Sequence, residues 1–210
     1  GLENAKTDFI RVQENIEQRL FRHALTHPDT IASNYPQPEM TRATIHTVLD
    51  WPDSRPEVED VFAGMIQGAT AVDGVSGEKG LVGYGSWAVR GLATFIARYC
   101  WIDPEFMRQT FERHPQLADS WRFFIDVWCF QRFYPFNGDS GGFARRREQY
   151  CGLDFRNKHV GPLDPSVNTF LWDLYEQTGD ADYVRVMVHE NGGDTAGLPH
   201  DLFVEDATVF

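Results

Sequence analysis

Three loops of the sequence concentrate the side chains that move protons or hold charged groups: IASNYPQPE (31–39), SGEKGLVGYGSW (76–87) and FYPFNGDSGGFARRR (133–147). They supply an amide (Asn34), phenols (Tyr35, Tyr84, Tyr134), carboxylates (Glu78, Asp139) and a guanidinium group (Arg145), with Arg122 and Arg132 close by in sequence. A phenol is a poor base at its free pKa of about 10. Neighbouring arginines lower that value, and the same hydroxyl can afterwards return a proton. Amide and guanidinium donors neutralise a carboxylate without losing a proton themselves. Each residue also has a plainer structural role. Asn34 precedes Tyr-Pro and suits a turn, Asp139 suits a helix N-cap, and Arg145, Arg146 and Arg147 read as a solvated helix face. The seven histidines form no paired ligand spacing, so neither a metal nor a cofactor is expected. His189 beside Glu190, near a predicted helix end, is the one such pair that draws interest.

These loops need rigid elements to hold them, and the 210 residues are enough for one large domain with a sizeable core. The formal charge of −12 disfavours nucleic acid and anionic lipid as partners. Sixteen of the nineteen basic side chains are Arg, planar forks that suit carboxylate or sulfate. No run of apolar residues reaches membrane-spanning length. The three cysteines lack paired spacing and sit among aromatic or apolar neighbours, which predicts buried free thiols.

Apolar spacing of three and four predicts a helix over 7–25, then one from Pro38 through Leu49 and one from Pro56 to Ala69. Gly74 to Gly85 is too rich in glycine for a helix interior. Helices are expected again over 86–99, 106–114 and the very aromatic 117–133, an inner helix. Three more are expected over 143–150, 166–177 and 180–189, the last with a strand as alternative. About nine helices joined alternately by short turns and glycine loops predict an all-α array of helical hairpins.

In this context the loops resemble the heparinase II/III-like polysaccharide lyases. Asn34 falls at that family's Asn-His motif, Glu78 with Tyr84 at its Glu-Gly loop, and Gly138-Asp139-Ser140 at its Gly-Asp-Ser step; the resemblance runs from about Glu14 to Phe203. Tyr35 stands where many members have histidine. The resemblance implies an incomplete (α/α) toroid of antiparallel hairpins, a single domain over 1–210 excised from a larger protein with a C-terminal β-sandwich domain. It implies a periplasmic or secreted location and an acidic polysaccharide as partner. The implied activity is cleavage of a uronic-acid-containing chain by β-elimination, with Tyr84 as base and acid, Tyr35 as second choice, and Asn34 neutralising the substrate carboxylate. Glu78, Trp87, Arg122, Arg132, Tyr134, Asp139, Arg145 and His189 would line the substrate. Two other readings are a non-catalytic glycan-binding or structural helical module, and an (α/α)-barrel glycoside hydrolase using Glu78 and Asp139 across the scissile bond.

Overall fold

The computed structural model describes residues 8–71, 74–76, 80–138, 148–153, 165–196 and 198, with only the backbone for 165–169. The described residues are mostly helical and contain no strand; Cys129 and Phe133 form an isolated antiparallel bridge. The chain is therefore all-α as expected. It divides into two compact units, Gly1–Met65 and Ile66–Phe210, and the division falls inside a helix.

In the first unit, α1 (Phe9–Asn15), a π-helical stretch (Ile16–Phe21) and α2 (Arg22–Thr26) follow one another without a break. This is the single helix that the spacing predicts. Its apolar residues Phe9, Ile10 and Leu20 are nevertheless exposed, so the stripe exists but does not form core. Asp8 begins it by accepting the Arg11 backbone N–H, as an N-cap side chain does. Then come α3 (Gln37–Asp50), with Ala43 and Ile45 buried, and α4 (Arg55–Ala69), which carries the chain across the division.

In the second unit α5 (Ser86–Ile102) is buried on nearly every side, and it packs on α6 (Phe106–Arg113) and α8 (Pro165–Thr178); α8 also meets α9 (Asp182–Glu190). Ala88, Ala93 and Ala97 keep α5 slender while Leu92 and Ile96 fill the gaps, each large apolar side chain contributing roughly 1.5–3 kcal/mol on full burial. The helix ends follow their sequence signals. Asp103 accepts the Glu105 N–H ahead of α6 and Asp180 accepts the Asp182 N–H ahead of α9. Gly179, at φ 70°, ends α8 in a conformation that a Cβ would oppose. The run Val184–Val188 is helical, not strand.

The aromatic helix predicted over 117–133 is corrected. α7 spans only Leu117–Asp126, after which the Trp128 N–H bonds to the Ile125 carbonyl and the chain reverses at Phe130 and Gln131, both left-handed at φ 53° and 54°. Tyr134 then returns over the helix end. Its ring stacks on Trp128 at 6.0 Å and its hydroxyl donates to the Phe124 carbonyl at 3.0 Å, supplying a donor to a C-terminal carbonyl that Trp128 no longer reaches. Two more phenols treat α7 in the same way: Tyr150 donates to the Trp121 carbonyl at 2.6 Å and Tyr183 to that of Ala118 at 3.3 Å. The three accepting carbonyls are three residues apart, hence along one side of the helix.

Cys129, expected buried, is exposed in this reversal, whereas Cys151 is buried and Cys100 half-buried. Burial, with Asp173 nearby, pushes the Cys100 thiol up to about 11. Gly152 is fixed by the Tyr150 phenol, since a Cβ there would overlap the phenol's hydroxyl and ring. That ring is fully buried and cannot swing away. Gly152→Ala should therefore destabilise the protein by about 2 kcal/mol or more, like other overpacked cores, read as a lowered denaturation midpoint at constant m-value.

Candidate functional site

In the second unit, Tyr84 sits in a tight turn built by glycine and serine. The chain makes a non-helical step at Val82 and Gly83, with Gly83 at φ 128°, and enters α5 two residues beyond Tyr84. The Ser86 hydroxyl accepts the Gly83 N–H at 3.2 Å and donates to the Gly83 carbonyl at 3.1 Å, while Gly85 N–H bonds to the Gly80 carbonyl. A Cβ on Gly85 would lie 2.9 Å from that carbonyl oxygen, so glycine is required there. The turn holds the Tyr84 phenol half-exposed on a backbone with few alternatives.

Beside this turn lies the loop that follows α7. The Leu81 N–H donates to the Asn137 side-chain oxygen at 3.2 Å, and Gly80, Leu81, Gly85, Asn137 and Gly138 share a cavity of about 220 Å³ with Phe123 and Phe124. The described ends of the second and third loops, 80–85 and 137–138, thus meet, while Tyr84 itself is not among the residues lining the cavity. Asn137, which was read only as part of a glycine loop, is the residue that joins them; its place directly before Gly-Asp-Ser was the signal for it.

The other predicted residues of this unit fare differently. Trp87 is exposed at the start of α5 and Arg132 is exposed in the 130–132 reversal. Arg122 is a hub of ion pairs. It meets Asp126, Asp180 and Asp182 at 2.7–2.8 Å, and its bonds to Asp126 and Asp180 hold its pKa above the ordinary value. With three carboxylates around it, its charge is already matched. Tyr134 is only 4% exposed, with its hydroxyl in use at both Phe124 and Cys151. His189 packs edge-on against Trp128 at 4.9 Å and its Nε2 lies 2.8 Å from the Glu148 carbonyl, so that nitrogen carries the proton and donates. Glu78, Asp139 and Arg145 lie outside the described residues.

In the first unit Asn34 is exposed, and its carbonyl accepts the Gln37 N–H in the turn that opens α3. Tyr35 is half-buried with its hydroxyl donated to the Met65 carbonyl, which leaves that proton engaged in structure. It borders a cavity of about 440 Å³ whose polar lining comes from Glu39, Arg42 and His46 of α3 and Glu57 and Asp60 of α4. Spacings of three and four along each helix could have marked this group, but Glu57 and Asp60 read as ordinary acids of a helix start.

No family model, curated protein or solved structure matches this chain. Among the described residues no group of three His, Cys, Asp or Glu could hold a metal ion, and no helix is long and apolar enough to cross a membrane.

Proposed function

We propose that this chain is the helical part of a polysaccharide lyase that cleaves a uronic-acid-containing polymer by β-elimination, with Tyr84 carrying the proton. The observation that supports the reading best is the hydrogen bond from Leu81 N–H to Asn137, which joins the turn that carries Tyr84 to Asn137 beside a cavity lined by Gly80, Leu81, Gly85, Asn137 and Gly138. Neighbouring loops from two distant motifs are what a substrate cleft needs.

The chemistry assigns simple tasks to these groups. The Tyr84 oxygen takes the C5 proton next to the substrate carboxylate; the electron pair forms the C4–C5 double bond and the C4–oxygen bond breaks. The phenol then gives its proton to the departing oxygen. The dianionic intermediate needs donors at its carboxylate, which amide and guanidinium groups supply without losing a proton. Arg132 takes over as the cationic candidate in place of Arg122, whose charge three aspartates already match. The incomplete (α/α) toroid, and a C-terminal β-sandwich domain completing the cleft, belong to the same proposal.

The full-length protein, offered a panel of uronate polysaccharides, should release products that absorb in the near ultraviolet through a double bond conjugated to the carboxylate. New reducing ends without that absorbance would instead make it a hydrolase. Saturable binding with neither product would make it a glycan-binding module.

A further inference from the structure

We propose that the segment from Trp128 to Asn137 is a preformed platform that stacks successive sugar rings of an anionic glycan chain, outside the cavity beside Tyr84. The inference rests on the lyase reading for the identity of the glycan, and on its own observations for the platform. Phe130, Phe133 and Phe136 are 91%, 48% and 70% exposed, an unusual display for three large rings in seven residues. The segment is not loose. Trp128 and Tyr134, between and before these rings, are buried and stacked on each other, and the Tyr134 hydroxyl both donates to Phe124 and accepts from the Cys151 N–H. Cys129 and Phe133 exchange both backbone hydrogen bonds across the reversal.

The tip is also held against its own preference. Phe130 occupies the left-handed region at φ 53°, which a bulky residue avoids and glycine would accept freely. A phenylalanine kept outward at such a position is explained by what its ring touches. The C–H face of a pyranose is apolar and flat enough to cover an aromatic ring, and rings already fixed in place lose little entropy on doing so.

Charge chooses among flat apolar partners. Over residues 127–138 the only charged side chain is Arg132, exposed at the same reversal and without an ion pair among the described residues, in a protein of net charge −12. A planar guanidinium beside exposed rings suits a sugar that bears a carboxylate or sulfate. The segment ends at Asn137, which lines the cavity shared with Gly80, Leu81 and Gly85.

The test compares binding of a disaccharide and an octasaccharide of a (1→4)-linked polyuronate to the wild-type protein and to Phe130→Ala/Phe136→Ala, by calorimetry. The ratio of the two affinities should fall about tenfold or more in the variant, the scale of losing stacked anchors. Phe130→Gly should lower the same ratio while raising Tm, because it removes the ring and the backbone strain together; a merely structural ring would not give that opposition. Arg132→Gln should flatten the salt dependence of octasaccharide binding. An unchanged ratio in the double variant overturns the platform, as does binding of neutral glucan oligomers equal to that of uronates. So does a platform-dependent association with phosphatidylserine vesicles that uronate does not compete away. Length-independent cleavage with absorbing products would leave the lyase reading standing and remove this one; platform-dependent binding without any unsaturated product would do the reverse.

Discussion

Tyr84→Phe should reduce the release of unsaturated product by at least about a hundredfold, the lower range for loss of a positioned general acid–base group. That corresponds to about 3 kcal/mol of transition-state stabilisation. The substitution removes one oxygen from a half-exposed ring at the head of α5, whereas the turn itself is held by the Gly83–Ser86 and Gly80–Gly85 hydrogen bonds, none of which uses the phenol oxygen. Fold and substrate affinity should therefore persist, and the loss should fall on kcat rather than KM. Exchange of the substrate C5 proton with deuterated solvent should disappear with the activity. Tyr35→Phe supplies the contrast. Its hydroxyl is occupied by the Met65 carbonyl, so its removal should cost about 1 kcal/mol of stability and leave the C5 exchange rate of bound substrate largely intact. If Tyr35→Phe abolishes exchange and Tyr84→Phe does not, the roles are reversed and the base belongs to the first unit.

The helices were legible because their apolar spacing and their end signals agree. Asp103, Gly179 and Asp180 each do locally what their residue types predict, and such local consistency is what makes a segment readable. The end of α7 was not legible for the converse reason. A run such as WCFQRFYPF has helical spacing, includes the helix formers Gln131 and Arg132 and holds no glycine, and its fate is decided by Tyr134 reaching back to Phe124 and Trp128. The apolar stripe of the first helix is exposed although the helix forms, since periodicity shows that a helix is amphipathic but not what covers it.

The same distinction runs through the site. Tyr84 was visible because its neighbours are glycines whose backbone geometry is a local property. Arg122 looked free because its partners Asp180 and Asp182 are 58 and 60 residues away in sequence and reach it only through the packing of the second unit. Tyr134 was taken for a ligand because a phenol in a loop and a phenol capping a helix end have the same sequence appearance.

The three phenols that bond along α7 should make the protein unfold steeply in alkali. Tyr134, Tyr150 and Tyr183 are 4%, 1% and 1% exposed, and burial raises the pKa of each above the ordinary phenol value because the phenolate would be desolvated. Each also donates its proton to a carbonyl that a phenolate could not bond. In the unfolded chain these groups ionise at a pH of about 10. Between that pH and their folded values the native state therefore holds more protons than the unfolded state, and stability declines as pH rises. Below pH of about 10 both states are protonated and the phenols add no pH dependence. Above it, three such groups together give a slope of up to about 4 kcal/mol per pH unit, enough to exhaust a typical domain's stability within two or three units. Tyrosinate absorbance from Tyr134, Tyr150 and Tyr183 should accordingly appear together with the loss of helical circular dichroism. Tyr183→Phe should shallow the slope by about a third and lower stability at neutral pH by about 1 kcal/mol through its lost hydrogen bond. A single smooth titration of all seven tyrosines with the helical signal intact would mean that the phenols are not sealed against α7, and the account of how α7 ends would fall with it.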